Sequence, residues 1–152
     1  YYLDLRRYDQ YMEKSETPFT PNINNVFALE EALNMIEAEG LDNVYARHRL
    51  MRDMMRSGIK AIGLELLVAD EDASPTVTGV RYPNADGFRA RLRERYGVEF
   101  AGGQGIHANN IFRVGHMGYA TPLDVLTALA VLEMDLKKFG QATKAAELLM
   151  EA

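Results

Sequence analysis

One arginine in this chain sits where it could hold an anion. Arg113 lies in the apolar run Ile111-Phe112-Arg113-Val114, with Gly115 directly after it and Gly102-Gly103-Gln104-Gly105 shortly before. Glycine supplies backbone where a Cβ would collide, either at positive φ or against a close neighbour. An unpaired guanidinium is very costly to bury, so Arg113 has no reason to face a core. Its planar fork of donors matches a carboxylate in bidentate fashion, which fits a side chain directed into a cleft at a planar anion. The pattern equally allows a strand-edge arginine paired with a neighbouring Asp or Glu.

The same segment, Gly102-Gly103-Gln104-Gly105 with Phe112-Arg113-Val114-Gly115-His116-Met117-Gly118, resembles the C-terminal part of class V pyridoxal-phosphate aminotransferases, of the alanine–glyoxylate and serine–pyruvate type. Further matches recur in the family's order. They are Thr17-Pro18-Phe19-Thr20-Pro21, Gly40-Leu41-Asp42-Asn43-Val44 with Arg47-His48-Arg49, and Ser74-Pro75-Thr76-Val77-Thr78. The resemblance therefore covers nearly the whole chain.

The resemblance implies amino-group transfer between a small amino acid (alanine, serine or aspartate) and a 2-oxo acid (glyoxylate or pyruvate), with pyridoxal 5'-phosphate as cofactor. It assigns the substrate's α-carboxylate to Arg113. It assigns the cofactor phosphate to Thr20, and less directly to Thr17, reaching the site of the other subunit of a homodimer. Some relatives carry a tyrosine where this chain has Thr17. Read from residue type alone, both threonines are also ordinary turn formers beside prolines. The family's Schiff-base lysine belongs to a large domain upstream. Lys14, Lys60, Lys137, Lys138 and Lys144 each read as a solvated charge. The expectation is thus a C-terminal small domain, inactive by itself, with no catalytic residue of its own. Residues 1–21 would finish the large domain and cross over, and residues 22–152 would form the small domain. The other reading is a free-standing module for binding amino or oxo acids or for dimerisation.

Composition limits the alternatives. The 152 residues are enough for one real core. A net charge of −5 argues against binding a phosphate backbone. The basic run Arg89 to Arg95 reads as the wet side of a helix whose apolar side is Phe88, Leu92 and Tyr96. No apolar run approaches the roughly 20 residues of a membrane span, and the opening residues carry no signal-peptide pattern, so the expectation is a cytoplasmic protein without membrane contact. The absence of cysteine excludes disulfides and thiolate metal ligands, and sets aside the related cysteine desulfurases. His48, His107 and His116 show no ligand spacing, so no metal is expected. His116 reads as a turn-capping histidine or as a group lining the substrate cleft.

The elements that must position these residues are a two-layer α/β (α+β) arrangement, with helices over one face of a small antiparallel or mixed sheet of three or four strands, as in the small domain of fold-type I aminotransferases. Val26, Leu29, Leu33 and Ile36 mark one helix, stopped by Gly40. A second carries Val44, His48, Met51 and Met55 and is expected to stop near Ser57-Gly58, with Asp42 as its cap. Met51, Met54 and Met55 read as core, with an exposed share available to the large domain. Strands are expected at 64–68, 76–80, 98–101 and 111–114, and a helix at 85–96. Thr121-Pro122-Leu123-Asp124 signals the start of another helix, expected to run to Gly140 and to be followed by an amphipathic segment ending at Ala152.

Overall fold

Asp4 and Asn22 each accept a hydrogen bond from a backbone N–H of the turn that follows, and so start the first two helices, α1 (Leu5–Met12) and α2 (Ile23–Glu39). The computed structural model of the protein describes residues 1–141 and 143–151. These fall into two compact units, Tyr1–Leu41 and Asp42–Ala152. In the first unit Phe19 is clasped by Tyr2 and Tyr1, with ring centroids 4.6 and 5.1 Å apart. The Arg7 guanidinium lies over the Tyr1 ring. Gly40, at φ 85°, ends α2 as its sequence position implies. The stripe Val26, Leu29, Leu33 and Ile36 remains exposed.

Helix α3 (Leu41–Ile62) runs beyond the expected stop at Ser57-Gly58, and Asp42 lies in its first turn instead of at its cap. Gly58 is not a terminator. A Cβ there would stand 2.4 Å from Leu129 Cδ1, so the glycine lets α3 approach another helix. The actual end comes at Gly63, φ 82°. There Lys138 Nζ donates to the carbonyl of Ile62 at 2.6 Å, a cation on an otherwise unsatisfied helix C-terminus.

The second unit continues with β1 (Glu65–Leu66), β2 (Val77–Arg81), α4 (Ala85–Tyr96), β3 (Ala101–Gly102), a 3₁₀ turn at Gly105–His107 and β4 (Ile111–Gly115). It closes with α5 (Pro122–Leu136) and α6 (Thr143–Glu151); Ala152, where the expected last segment ends, lies outside the described residues. Among the described residues the strands form one antiparallel sheet in the order β1-β2-β4-β3. Thr121 and Asp124 form a reciprocal capping box at the start of α5, with Pro122 in its first turn. That helix ends at Lys137, whose left-handed conformation (φ 55°) stops it before the expected Gly140.

Period-two alternation puts Thr78 and Val80 of β2 and Phe112 and Val114 of β4 on the buried face. Helices α3, α4 and α5 cover that face with Met51, Met54, Met55, Ile59, Phe88, Leu92, Leu129 and Leu132, all essentially inaccessible. The three methionines have no exposed share to offer a partner, against the second half of their sequence reading. The basic run is also more engaged than a wet helix face. Arg91 and Arg95 both reach Asp135 of α5, whose carboxylate is almost fully buried. Arg89 donates to the Phe100 carbonyl and pairs with Asp86, and Arg93 lies near Glu99.

His116 follows β4 and is 1% exposed, with Nε2 2.9 Å from Thr78 Oγ1. Its Nδ1 is buried without a hydrogen bond. The tautomer with the proton on Nε2 leaves Nδ1 as a bare lone pair, cheaper than an orphaned N–H. Burial is the main force holding the imidazole pKa below its ordinary value; backbone groups of His116 and Pro75 oppose it less strongly.

Two outcomes follow. Gly58→Ala should destabilise the protein by about 1–3 kcal/mol in urea unfolding, although alanine is the better helix former by about 1 kcal/mol. A stabilising effect would refute the close packing of α3 on Leu129. For His116 the folded pKa lies below the unfolded value of about 6.5, so its contribution is intact above that pH. It is lost as pH falls below about 6.5, because the unfolded chain takes up the proton first. The urea midpoint of His116→Gln should therefore vary less between roughly pH 6.5 and 5 than that of the parent.

Candidate active site

Strand β4 is one of the sheet's two interior strands, pairing with β2 on one side and β3 on the other. Cross-strand partners share a face. Arg113 is opposite Gly79 on β2 and Ala101 on β3, so its neighbours along the ladder are a glycine and an alanine. Phe112 and Val114, one residue to either side, point into the core. The alternation that buries them sends Arg113 to the other face of the sheet.

There the side chain is half-buried, and its Nε donates to the carbonyl of Gly102 at 2.9 Å. This one bond fixes the inner edge of the guanidinium against β3. Among the described residues no carboxylate pairs with Arg113, and its terminal nitrogens make no hydrogen bond. The alternative of an arginine neutralised by an adjacent Asp or Glu is not what the structure contains. Other arginines of the chain do take that role: Arg56 with Asp70, Arg81 with Glu65, and Arg91 with Asp135.

The glycines have separate duties. Gly103 has no alternative, since a Cβ there would lie 2.0 Å from the backbone oxygen of His107. Gly105, at φ 57°, opens the 3₁₀ turn. The segment is the tight turn expected from Gly102 to Gly105, and it delivers the Gly102 carbonyl to Arg113. Gly79 is tied to β1's extension, because Leu67 lies across it with Cδ2 3.0 Å from where a Cβ would be. Sequence reasoning missed both the Gly102 carbonyl and Gly79. A backbone acceptor leaves no trace in side-chain pattern, but a glycine inside the strand Thr76–Val80 was a readable sign of close approach.

Thr17 and Thr20 belong to the first unit, and Arg113 to the second. Thr17 Oγ1 donates to the carbonyl of Phe19 at 2.8 Å, which commits its proton to the turn. Thr20 is exposed and outside any regular element, and its hydroxyl makes no hydrogen bond among the described residues. For a cofactor carrying a phosphate, Thr20 has the free donor and Thr17 has spent its own.

Four of the five lysines have local partners, and Lys137 is an exposed helix C-cap. Lys138 caps α3, Lys60 pairs with Asp70, Lys144 with Glu147, and Lys14 lies over the Tyr11 ring. His48 Nδ1 donates to the Val44 carbonyl and His116 meets Thr78, and no group of three metal-ligating side chains occurs among the described residues. His116 packs as a tie between β2 and β4, on the face opposite Arg113. No described helix is long and apolar enough to cross a membrane.

No protein-family model matches the chain. It is 42% identical over 142 residues to a soluble hydrogenase 42 kDa subunit of Anabaena cylindrica, which spans 92% of this chain and 37% of that protein. It is 40% identical over 148 residues to an uncharacterized aminotransferase of Methanocaldococcus jannaschii, spanning 95% of this chain and 38% of that protein. The crystal structure of ureidoglycine–glyoxylate aminotransferase from Bacillus subtilis superposes with a TM-score of 0.89 at 32% identity, covering 98% of this chain and 42% of that one. The chain thus spans less than half the length of the proteins it matches. Sequence likeness over nearly every residue, together with the same arrangement of helices and sheet, places this chain in the class V pyridoxal-phosphate-dependent aminotransferase family, as a counterpart of its small domain.

Proposed function

We propose that this chain is the C-terminal, substrate-carboxylate-binding domain of an enzyme that moves an amino group between a small amino acid (alanine, serine or aspartate) and a 2-oxo acid (glyoxylate or pyruvate). The observation that carries this reading is Arg113, held at Nε by the Gly102 carbonyl and opposed by no carboxylate among the described residues. An arginine prepared in this way offers its outer edge to a carboxylate without first breaking an ion pair. Anchoring the carboxylate limits how the substrate can turn, which converts binding energy into orientation of the bond to be broken.

Pyridoxal 5'-phosphate, when bound, supplies the electron sink for the reaction. Among this chain's residues the Thr20 hydroxyl is the one available to its phosphate, with Thr17 holding the turn that presents it. Four of the five lysines have the local partners described above, and the family resemblance assigns the residue that anchors the cofactor to a large domain outside these 152 residues. In this reading residues 1–21 complete that large domain and residues 22–152 form the small one. The active assembly is a homodimer whose subunits exchange the Thr20 contact, and the chain by itself is inactive.

In the full-length enzyme, Arg113→Ala should lower kcat/KM by about a hundredfold or more. Charged hydrogen bonds of about 1.5–3 kcal/mol each are lost from a bidentate contact. Steady-state kinetics with alanine and glyoxylate measure it, and near-parental activity rejects the assignment. Thr20→Ala should instead weaken retention of the cofactor on dialysis, while Thr17→Ala should have the smaller effect.

A further inference from the structure

A second cleft, sharing no residue with the surroundings of Arg113, opens between the first half of α3 and the Pro75–Thr76 segment that leads into β2. Its volume is about 380 Å³. One wall is α3, with Val44, Tyr45, His48, Arg49 and Arg52, and the other is Pro75 and Thr76. Among the described residues no Asp or Glu lines it.

The charges on this wall are unequally engaged. Arg52 is forked onto Asp53, with Nε to Oδ1 at 2.7 Å and Nη2 to Oδ2 at 3.1 Å. His48 Nδ1 meets the Val44 carbonyl at 2.7 Å and must carry the proton there, which leaves Nε2 as the ring's other polar atom. Arg49 is exposed and, among the described residues, makes no hydrogen bond, ion pair or ring contact. A guanidinium without an acid, one helical turn from a tyrosine ring and beside an imidazole, with Pro75 across the cleft, has the chemistry to take an anion attached to an apolar body. The guanidinium receives the charge, joined by His48 through Nε2–H only in the protonated ring, and Tyr45 and Pro75 cover the remainder. A simple solvated arginine explains the exposure of Arg49, but not the cleft that Tyr45 and Pro75 line beside it.

We propose that this cleft is a binding site for a small organic anion, with a carboxylate or phosphate head on Arg49 and His48 and a flat or aliphatic body against Tyr45 and Pro75. The site does not depend on the role given to Arg113. The volume accommodates a molecule of ring size, and the open mouth implies exchange with solvent instead of permanent retention.

The test uses the full-length protein and isothermal titration with benzoate, phenyl phosphate and the neutral benzyl alcohol. Benzoate or phenyl phosphate should bind saturably, with affinity reduced about tenfold in Arg49→Gln, as expected for loss of one charged hydrogen bond. The reduction should be partly restored in Arg49→Lys, and His48→Gln should give a smaller loss. Binding by only one of the two anions supports the site and identifies its head group. The Arg49-dependent component should persist in Arg113→Gln, which separates this cleft from the substrate site. Absence of saturable binding, equal affinity for benzyl alcohol, or affinity unchanged in Arg49→Gln with unaltered thermal unfolding would each overturn the proposal.

Discussion

The register of β4 between its two neighbours is the constraint on which the rest of this domain depends. With Gly79 and Ala101 opposite Arg113, the guanidinium occupies the face away from the helices, while Phe112 and Val114 fill the core. Side chains alternate with a period of two, so a slip by one residue would drive the charge into the methionine-rich interior and expose Phe112. The energetic penalty for that error is very large, because a buried guanidinium would have no partner there. Core packing and site geometry are therefore the same constraint viewed from the two faces of one sheet.

Electrostatic partnerships sort the arginines into two groups. Arg56, Arg89, Arg91 and Arg95 are structural: each grips an acid or a carbonyl, and Asp135 serves two of them from a nearly inaccessible position. These contacts hold α4 to α5 and α3 to the segment before β2. Arg113 is tethered through a single nitrogen to a backbone oxygen, which orients it without neutralising it. Arg49 lacks even that tether. What separates the two groups is whether a carboxylate has been supplied among the described residues.

Much of this architecture was legible from residues alone. The capping box at Thr121 and Asp124, the glycine stop after α2, and the alternation of β2 and β4 all express local rules that the tertiary structure leaves intact. The errors have a common cause in long-range contact. Gly58 looked like a terminator because its reason for being glycine is Leu129, 71 residues away in the chain. The basic run looked solvated because Asp135, its buried partner, lies on another helix. Helix α1 was hidden in a polar, tyrosine-rich stretch whose aromatic contacts converge on Phe19. Arg113 was legible as to face, but the carbonyl that aims it was not, since a backbone oxygen has no letter in a sequence.

The tether from Arg113 to Gly102 has a thermodynamic corollary. Strand β3 is two residues long and lies at the edge of the sheet, where fraying is easiest. When that margin peels away, the arginine loses its hydrogen-bond partner and can swing. A bound acid, by favouring the aimed rotamer, must in turn hold the margin closed. Amide exchange along the outer ladder and occupancy of the guanidinium are then linked quantities, so that slowed deuterium uptake at the sheet's rim would report ligation from several ångströms away.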